Sequence, residues 1–313
     1  MLSPILAAFC LTSQTALPEP NLKALEKKLD AVSISFKGRL GYHLEDLTSG
    51  AVIGERATER FPSASTIKTA VMAVAMNEIE RGSLKWDEPV KLWSKDRRHA
   101  SMWAYHLDEG LKINVDALIQ LMMNVSDNTA TVVLADRVGS ETIEKTLLAW
   151  GFEDTAWTSY PPSSNARLVR LRETYANMGV TTPKEMGRLL ALMARGKLVS
   201  QAASERMIRV MSHQYWDDFI SWAVPPTVVT ASKVGALSRS RSDSAIVFGP
   251  RPYVLTVYTD SQKDRRWVSE NDGDEAIRRI SALAWAAMSP QMPYSPPKDA
   301  KKWAPTGGGV EDS

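Results

Sequence analysis

The sequence predicts an α/β fold of the α+β kind: one antiparallel sheet of about five strands built from both chain ends, flanked by helices, with an all-helical domain inserted between its halves. Three observations predict it. Alternating, β-rich segments occur before residue 55 and again after residue 225. Helical signals dominate between them. An amphipathic helix lies outside the strands at each end.

Asn21 to Val32 reads as a helix, with Leu22, Leu25, Leu29 and Val32 on one face. Arg39 to Leu47 begins as a half-buried strand with Leu40, Tyr42 and Leu44 on one side. Thr48-Ser49-Gly50 is a turn, and Ala51 to Gly54 starts the next strand. "FPSASTIKTAVMAVAM", Phe61 to Met76, opens a helix that ends near Gly82. Val115 to Asn124 and Ala130 to Val138 are further helices, and Ser140 caps another that stops at Gly151. Thr182-Pro183-Lys184-Glu185 is a capping box with proline at the first helical position, leading a helix through Met193. Between Gly151 and Thr182 periodicity is weak, and a long structureless stretch in a compact domain is usually functional. Val228 to Gly235, Ala245 to Gly249 and Tyr253 to Thr259 are strands, and Asp274 to Met288 is the closing helix. The expected organisation is a sheet domain from 20–62 and 200–289, a helical domain at 63–199 and a disordered tail at 290–313.

Composition narrows the function classes. The 313 residues are 44% hydrophobic and 24% charged, and the net charge is +2. With no dense basic run, nucleic acid is not an expected partner. Cys10 is the single cysteine, so no intramolecular disulfide forms. His43, His99, His106 and His213 have no metal-ligand spacing, and neither metal nor cofactor is expected. Residues 1–18 contain a short apolar stretch, Pro4 to Leu11, then small residues near Ala16. This reads as a secretory signal without its positive n-region, the other reading being a frayed terminus. Export to the periplasm or beyond is expected. No stretch approaches the length of a membrane span, and a monomer is expected.

The helix after Phe61 poses a chemical question. Lys68 precedes Ala70, Val71, Met72, Ala73, Val74, Ala75 and Met76. A helix apolar all round is a buried one, and a buried ammonium is costly unless it is paired or has a task. Ser65 lies three residues earlier, on the same face. A serine hydroxyl is a poor nucleophile until a base takes its proton. Burial lowers a lysine pKa and lets it act as that base. The helix N-terminus directs N–H groups at developing negative charge. S-x-x-K alone also fits a snorkelling surface pair. Ser126-Asp127-Asn128 also fits an N-cap. Lys233-Val234-Gly235 lies on a strand, where a glycine marks a bulge or the close approach of a ligand or backbone.

Together, in this order on helix, loop and strand, the three motifs resemble the serine β-lactamase and penicillin-binding protein set. "FPSASTIK" resembles the nucleophile helix of class A β-lactamases, "VSDNTAT" their second motif, and "TTPKEMGRLL" the helix after their Ω-loop. "KVGALSRSRSDSAIVFG" resembles their third motif and next strand. The resemblance spans about residues 22–288 and places the active site between sheet and helical domain. It implies that Ser65 is acylated, that Lys68 is the base or part of the relay, and that Ser126 passes the proton to the leaving nitrogen beside Lys233. It implies that Asn128 binds the substrate amide carbonyl, and that the N–H groups of Ser65 and Ala236 form an oxyanion hole. Lys233, Val234 and Gly235 line the substrate-carboxylate side, with Arg241 as a further partner.

Two positions depart from the pattern. Class A enzymes carry Glu-x-x-x-Asn about seventeen residues before the proline of the "TTP" helix. That register holds Ala166 and Arg170, in a segment with Arg167 and Arg172. Glu173 is the carboxylate of "YPPSSNARLVRLRETYANMGV", out of register. Either a differently folded loop brings Glu173 round, or deacylation has no dedicated carboxylate base. Val234 replaces the usual threonine, whose hydroxyl bond to a charged group is worth about 1.5–3 kcal/mol. Three readings stand: a β-lactamase-like serine hydrolase, a D,D-peptidase or esterase on the same scaffold, and a non-catalytic module that captures β-lactams or cell-wall peptides.

Overall fold

The computed structural model describes residues 19–99, 101–160, 162–175 and 178–298. The expected signal segment at 1–18, Cys10 and most of the expected tail lie outside these residues.

Asn21 caps α1 (Leu22–Ser35) by accepting the Ala24 N–H, and Leu25, Leu29 and Val32 are its buried face. β1 (Arg39–Asp46) and β2 (Val52–Glu55) form a hairpin. β3 (Phe61–Pro62) leads through a 3₁₀ turn at Ala64–Thr66 into α2 (Ile67–Glu80). A short pair, β4 (Pro89–Lys91) and β5 (Lys112–Asn114), precedes α3 (Val115–Asn124), α4 (Asn128–Val138) and α5 (Ser140–Ala149). The next region holds β6 (Ala156–Trp157), α6 (Ala166–Thr174) and β7 (Gly179–Thr181). Then come α7 (Pro183–Ala194), α8 (Gln201–Met211), β8 (Thr230–Leu237), β9 (Ser240–Val247), β10 (Tyr253–Asp260) and α9 (Asp272–Met288).

The main sheet has five strands in the order β2-β1-β10-β9-β8, with antiparallel neighbours throughout. β1 pairs with β10 from Arg39–Asp260 to Asp46–Tyr253, so the two ends of the chain meet inside one sheet. Alternation sorts its side chains. Leu40, Tyr42, Leu44, Leu255 and Val257 pack with α1 and α9. Ala231, Ile246, Val254 and Tyr258 face the helical side, where α7 lies on the sheet. Every residue of α2 from Ile67 to Met76 is buried, as an all-apolar helix requires. α8 adds Met207, Val210 and Met211 to the same cluster.

Some local expectations change. The stretch between Gly151 and Thr182 is not structureless: it contains α6, capped by the Asn165 side chain on the N–H groups of Arg167 and Leu168. Only Leu168 and Leu171 are buried in that helix, too few to give a visible period. Gly139, not Ser140, holds the N-cap position of α5. Thr182 caps α7 through the Glu185 N–H, but the Glu185 carboxylate accepts from Asp154 N and Thr155 Oγ1 instead of closing the box. β9 begins at Ser240, well before Ala245. Its Ser-Arg-Ser-Asp-Ser start is buried, and Arg241, Ser242, Asp243 and Ser244 each find an interior partner.

Gly187 of α7 sits against β1. A Cβ added there would meet His43 Cδ2 at 2.2 Å, and the His43 ring is itself buried. Gly187→Ala is therefore expected to cost about 1–3 kcal/mol through overpacking. The check is the midpoint of urea unfolding, and an unchanged midpoint would mean that α7 slides freely on the sheet.

Candidate active site

Ser65 lies in the 3₁₀ turn that feeds α2, at the end where the first N–H groups have no partner within the helix. The turn is held from behind. Tyr258 Oη donates to Thr66 Oγ1 (2.9 Å) and lies 2.9 Å from Ser244 Oγ, while Thr66 Oγ1 donates to Ser63 O (2.7 Å). Gly235 of β8 lets the strand approach the same turn, since a Cβ there would come within 2.9 Å of Ser63 O and 3.0 Å of Ala64 Cβ. The close approach read from the sequence is thus made by the backbone that presents Ser65.

Lys68 is 0% exposed, and Nζ donates to Ser126 O (2.7 Å), Ser126 Oγ (3.0 Å) and Asn128 Oδ1 (2.7 Å). The second motif is built for this. Asp127, between those two residues, is the N-cap of α4: Oδ1 accepts from Ala130 N, and Oδ2 from Trp103 N and Ala104 N. With Asp127 turned inward, Ser126 and Asn128 turn toward Lys68. The capping and the functional readings of this motif both hold, each on different residues. Asn128 Nδ2 also donates to His99 O (3.3 Å).

Burial holds the Lys68 pKa well below the ordinary lysine value; the nearby Lys233 charge lowers it further, and Asp127 opposes. Lys233, also 0% exposed, is lowered to about 7 by burial, against the opposing Asp243 charge. Its Nζ donates to Val234 O (3.0 Å). Asp243, buried in β9 and accepting the Ile220 N–H, is itself pushed up to about 7 by burial. An uncharged Lys68 has two N–H groups and one lone pair. Two of its partners are carbonyl oxygens, so the Ser126 hydroxyl is the partner that can donate back. Ser126 and Lys68 thus form a ready proton path.

Ser65 Oγ, part-exposed, donates to Met178 Sδ at 3.7 Å, and among the described residues no hydrogen bond joins it to Lys68. Ala64, Ser126 and Met178 all have positive φ (45°, 59° and 73°). Such backbone costs of order 1–3 kcal/mol per residue and collects at functional sites. Met178 was not legible beforehand, because non-local pairing places it. Its neighbours in β7 pair with β3, and Ser63 N donates to Gly179 O (3.0 Å).

Other expected residues fall differently. Ala236 is on β8, part-exposed, beside Gly235. Val234 is 9% exposed and belongs to the core that α1 and α9 cover. Arg241 is not a substrate ligand. It is 2% exposed, with Nε 3.0 Å from Asp274 Oδ1, further bonds to Leu237 O, Ser240 O and Arg266 O, and the Trp267 ring stacked on its guanidinium. Its donors are consumed by the interior. In the loop, Ala166 begins α6 and is exposed, as are Arg170 and Glu173. Arg167 binds Glu144 and Glu153 O, and Arg172 binds Thr158 O (2.6 Å) and Ser159 O (3.0 Å). Two of the three arginines therefore pin the loop to the body of the protein.

The Beta-lactamase enzyme family matches the chain over residues 24–288. The chain belongs to this family. Among its β-lactamase relatives, an imipenem-hydrolysing β-lactamase of Enterobacter cloacae is 25% identical over 295 residues, which cover 90% of this chain and 94% of that one. A β-lactamase from Sphaerobacter thermophilus superposes with a TM-score of 0.74 at 21% identity, covering 88% of this chain and 100% of that chain. A PBP-A variant, solved as an acyl-enzyme complex with penicillin G, superposes with a TM-score of 0.74 at 21% identity, covering 87% and 98%. The two solved structures share the fold of this chain. No helix among the described residues is long and apolar enough to cross a membrane.

The position of Arg241 yields a sharp expectation. Arg241→Ala leaves Asp274 without its partner, and breaking a buried pair in this way costs roughly 3–5 kcal/mol. The loss should appear in denaturant unfolding and not as weakened substrate capture by the folded fraction. Full stability together with weakened capture would return Arg241 to the site.

Proposed function

We propose that this protein is a serine hydrolase that is acylated at Ser65 by β-lactams or related amides and releases the acyl group slowly. The observation that carries the proposal is the fully buried Lys68, one helical turn from Ser65 and bonded to both Ser126 and Asn128. Ser65 turns from Met178 toward Lys68 and gives up its proton. Oγ then bonds to the carbonyl carbon, and the C–N bond breaks. The proton travels through Lys68 and the Ser126 hydroxyl to the departing nitrogen. The N–H groups of Ser65 and Ala236 would receive the oxyanion, worth a few kcal/mol. Asn128 would hold the side-chain carbonyl, and Lys233 the carboxylate. Cell-wall-related substrates of this kind are met outside the cytoplasm, and export fits the reading.

Slow release rests on the loop. Position 166 carries no carboxylate, Glu173 is exposed, and the side-chain hydrogen bond of Ser65 on the loop side goes to Met178. Without a base to activate it, water attacks an ester slowly. The same feature favours a second reading, a D,D-peptidase or esterase, which a peptide ending in D-alanyl-D-alanine distinguishes by its turnover.

Intact-protein mass spectrometry over time after adding penicillin G tests the proposal. The mass is expected to rise quickly by one adduct and to decay slowly, and Ser65→Ala should show no adduct. Labelling elsewhere in that variant, or no adduct on folded protein, rejects the nucleophile. Lys68→Ala should slow acylation roughly 10²–10⁴-fold. Acylation should also rise with pH along a limb well below 10.5, the ordinary lysine value, because the base acts uncharged and its pKa is lowered. A limb at the ordinary lysine value would make Lys68 structural. Glu173→Gln should leave the adduct lifetime unchanged, and a large increase would make Glu173 the deacylating base.

A further inference from the structure

The side of Ser65 that faces the loop carries a thioether. Met178 Sδ accepts from Ser65 Oγ at 3.7 Å, and Met178 is held there on both sides. Its carbonyl accepts from Thr158 N (3.1 Å), and the next residue, Gly179, accepts from Ser63 N (3.0 Å). Gly179 cannot move away without losing a fit so tight that an added Cβ would come within 2.5 Å of Ala156 O. The backbone of Met178 itself is in the left-handed region, φ 73°, a cost for a long side chain that a glycine would avoid. The chain therefore keeps methionine at a strained position where its sulfur touches the nucleophilic oxygen.

We propose that Met178 is a shield on the acyl-enzyme: it takes the volume beside the ester oxygen through which water would approach, and it offers no base to activate that water. The inference rests on acylation at Ser65. Acylation turns Oγ toward Lys68, and Met178, anchored through the Thr158 N–H, stays on the loop side of the Ser65 ester. Hydrolysis needs a water oxygen to bond to the ester carbon, a proton to leave that water, and Oγ to depart and regain a proton as the serine hydroxyl. A thioether is a weak acceptor and takes no proton at neutral pH. The side chain therefore opposes that step by occupying space. Met178 is a shielding residue beside the Ser65 side chain, and its contribution is long lifetime, not turnover.

The test uses the full chain and penicillin G, with adduct lifetime followed by intact mass. Met178→Gly removes the side chain at a backbone position that glycine adopts freely, so it should fold, and Met178→Ala removes most of the side chain while keeping a Cβ. Both are expected to shorten the lifetime about tenfold, the effect of a modest drop in the hydrolysis barrier. Met178→Leu restores bulk without sulfur and is expected to restore the long lifetime. Unchanged lifetimes in the glycine and alanine variants overturn the shield, as does a short-lived leucine variant, because bulk is then not the cause. An adduct that fails to form even in the unaltered protein overturns the acylation reading and the shield with it. An adduct that forms and decays alike in all variants removes the shield alone.

Discussion

The burial of Lys68 is the constraint on which the rest of the site depends. An ammonium removed from water at the head of an apolar helix must find partners or lose its proton. The fold supplies both outcomes. Three acceptors stand around Nζ, and the neighbouring charge of Lys233 makes the protonated state harder to hold. Ser126 reaches Lys68 from a left-handed backbone, φ 59°, and Asp127 can anchor the loop only because it is turned the other way. The α3–α4 connection, the loop near Trp103 and the first turn of α2 are thus tied to one buried nitrogen.

Ser65 is organised by a different set of contacts. A buried hydroxyl chain from Ser244 through Tyr258 and Thr66 to Ser63 O supports its turn from the sheet. Gly235 brings the edge strand β8 against that turn, and the Ser63–Gly179 bond fastens the loop to its other side. The nucleophile therefore sits where sheet, helical block and loop meet. Small shifts in any of them reach Oγ, which explains why strained backbone at Ala64 and Met178 is retained.

Much of this was legible from local pattern. The bounds read for α3, Val115 to Asn124, are the ones the structure has. The strand faces of β1 follow from alternation, and motif chemistry named Ser65, Lys68, Ser126, Asn128 and Lys233, of which Lys68, Ser126 and Asn128 are joined by hydrogen bonds. What was missed depends on non-local partners. The polar start of β9 does not read as a strand until Asp274, Gly235, Ile220 and Tyr258 are seen to satisfy it. Arg241 had the right charge for a carboxylate ligand, and only its buried pairing excludes that role. Met178 has no sequence signal at all, since β3–β7 pairing decides where it lies.

The two halves of the proposed chemistry are therefore carried by separable parts of the molecule. The groups proposed for acylation sit on the turn into α2, on α2 itself, just before α4 and on β8, and α2 and β8 contribute to the two cores. The loop to which the proposal assigns the exclusion of water is attached through the β6–β7 and β3–β7 pairs, Arg167 on Glu144 and Arg172 on two carbonyls, among other contacts. Those anchors hold the loop in place without requiring a glutamate at position 166 or an asparagine at position 170. A chain can thus exchange its water-activating residues for alanine and arginine and keep Ser65, Lys68 and Ser126 in working geometry. On the proposed reading, fold membership and release rate are separable properties: the first follows from the cores, the second from what borders Ser65 on the loop side, where the structure places a methionine.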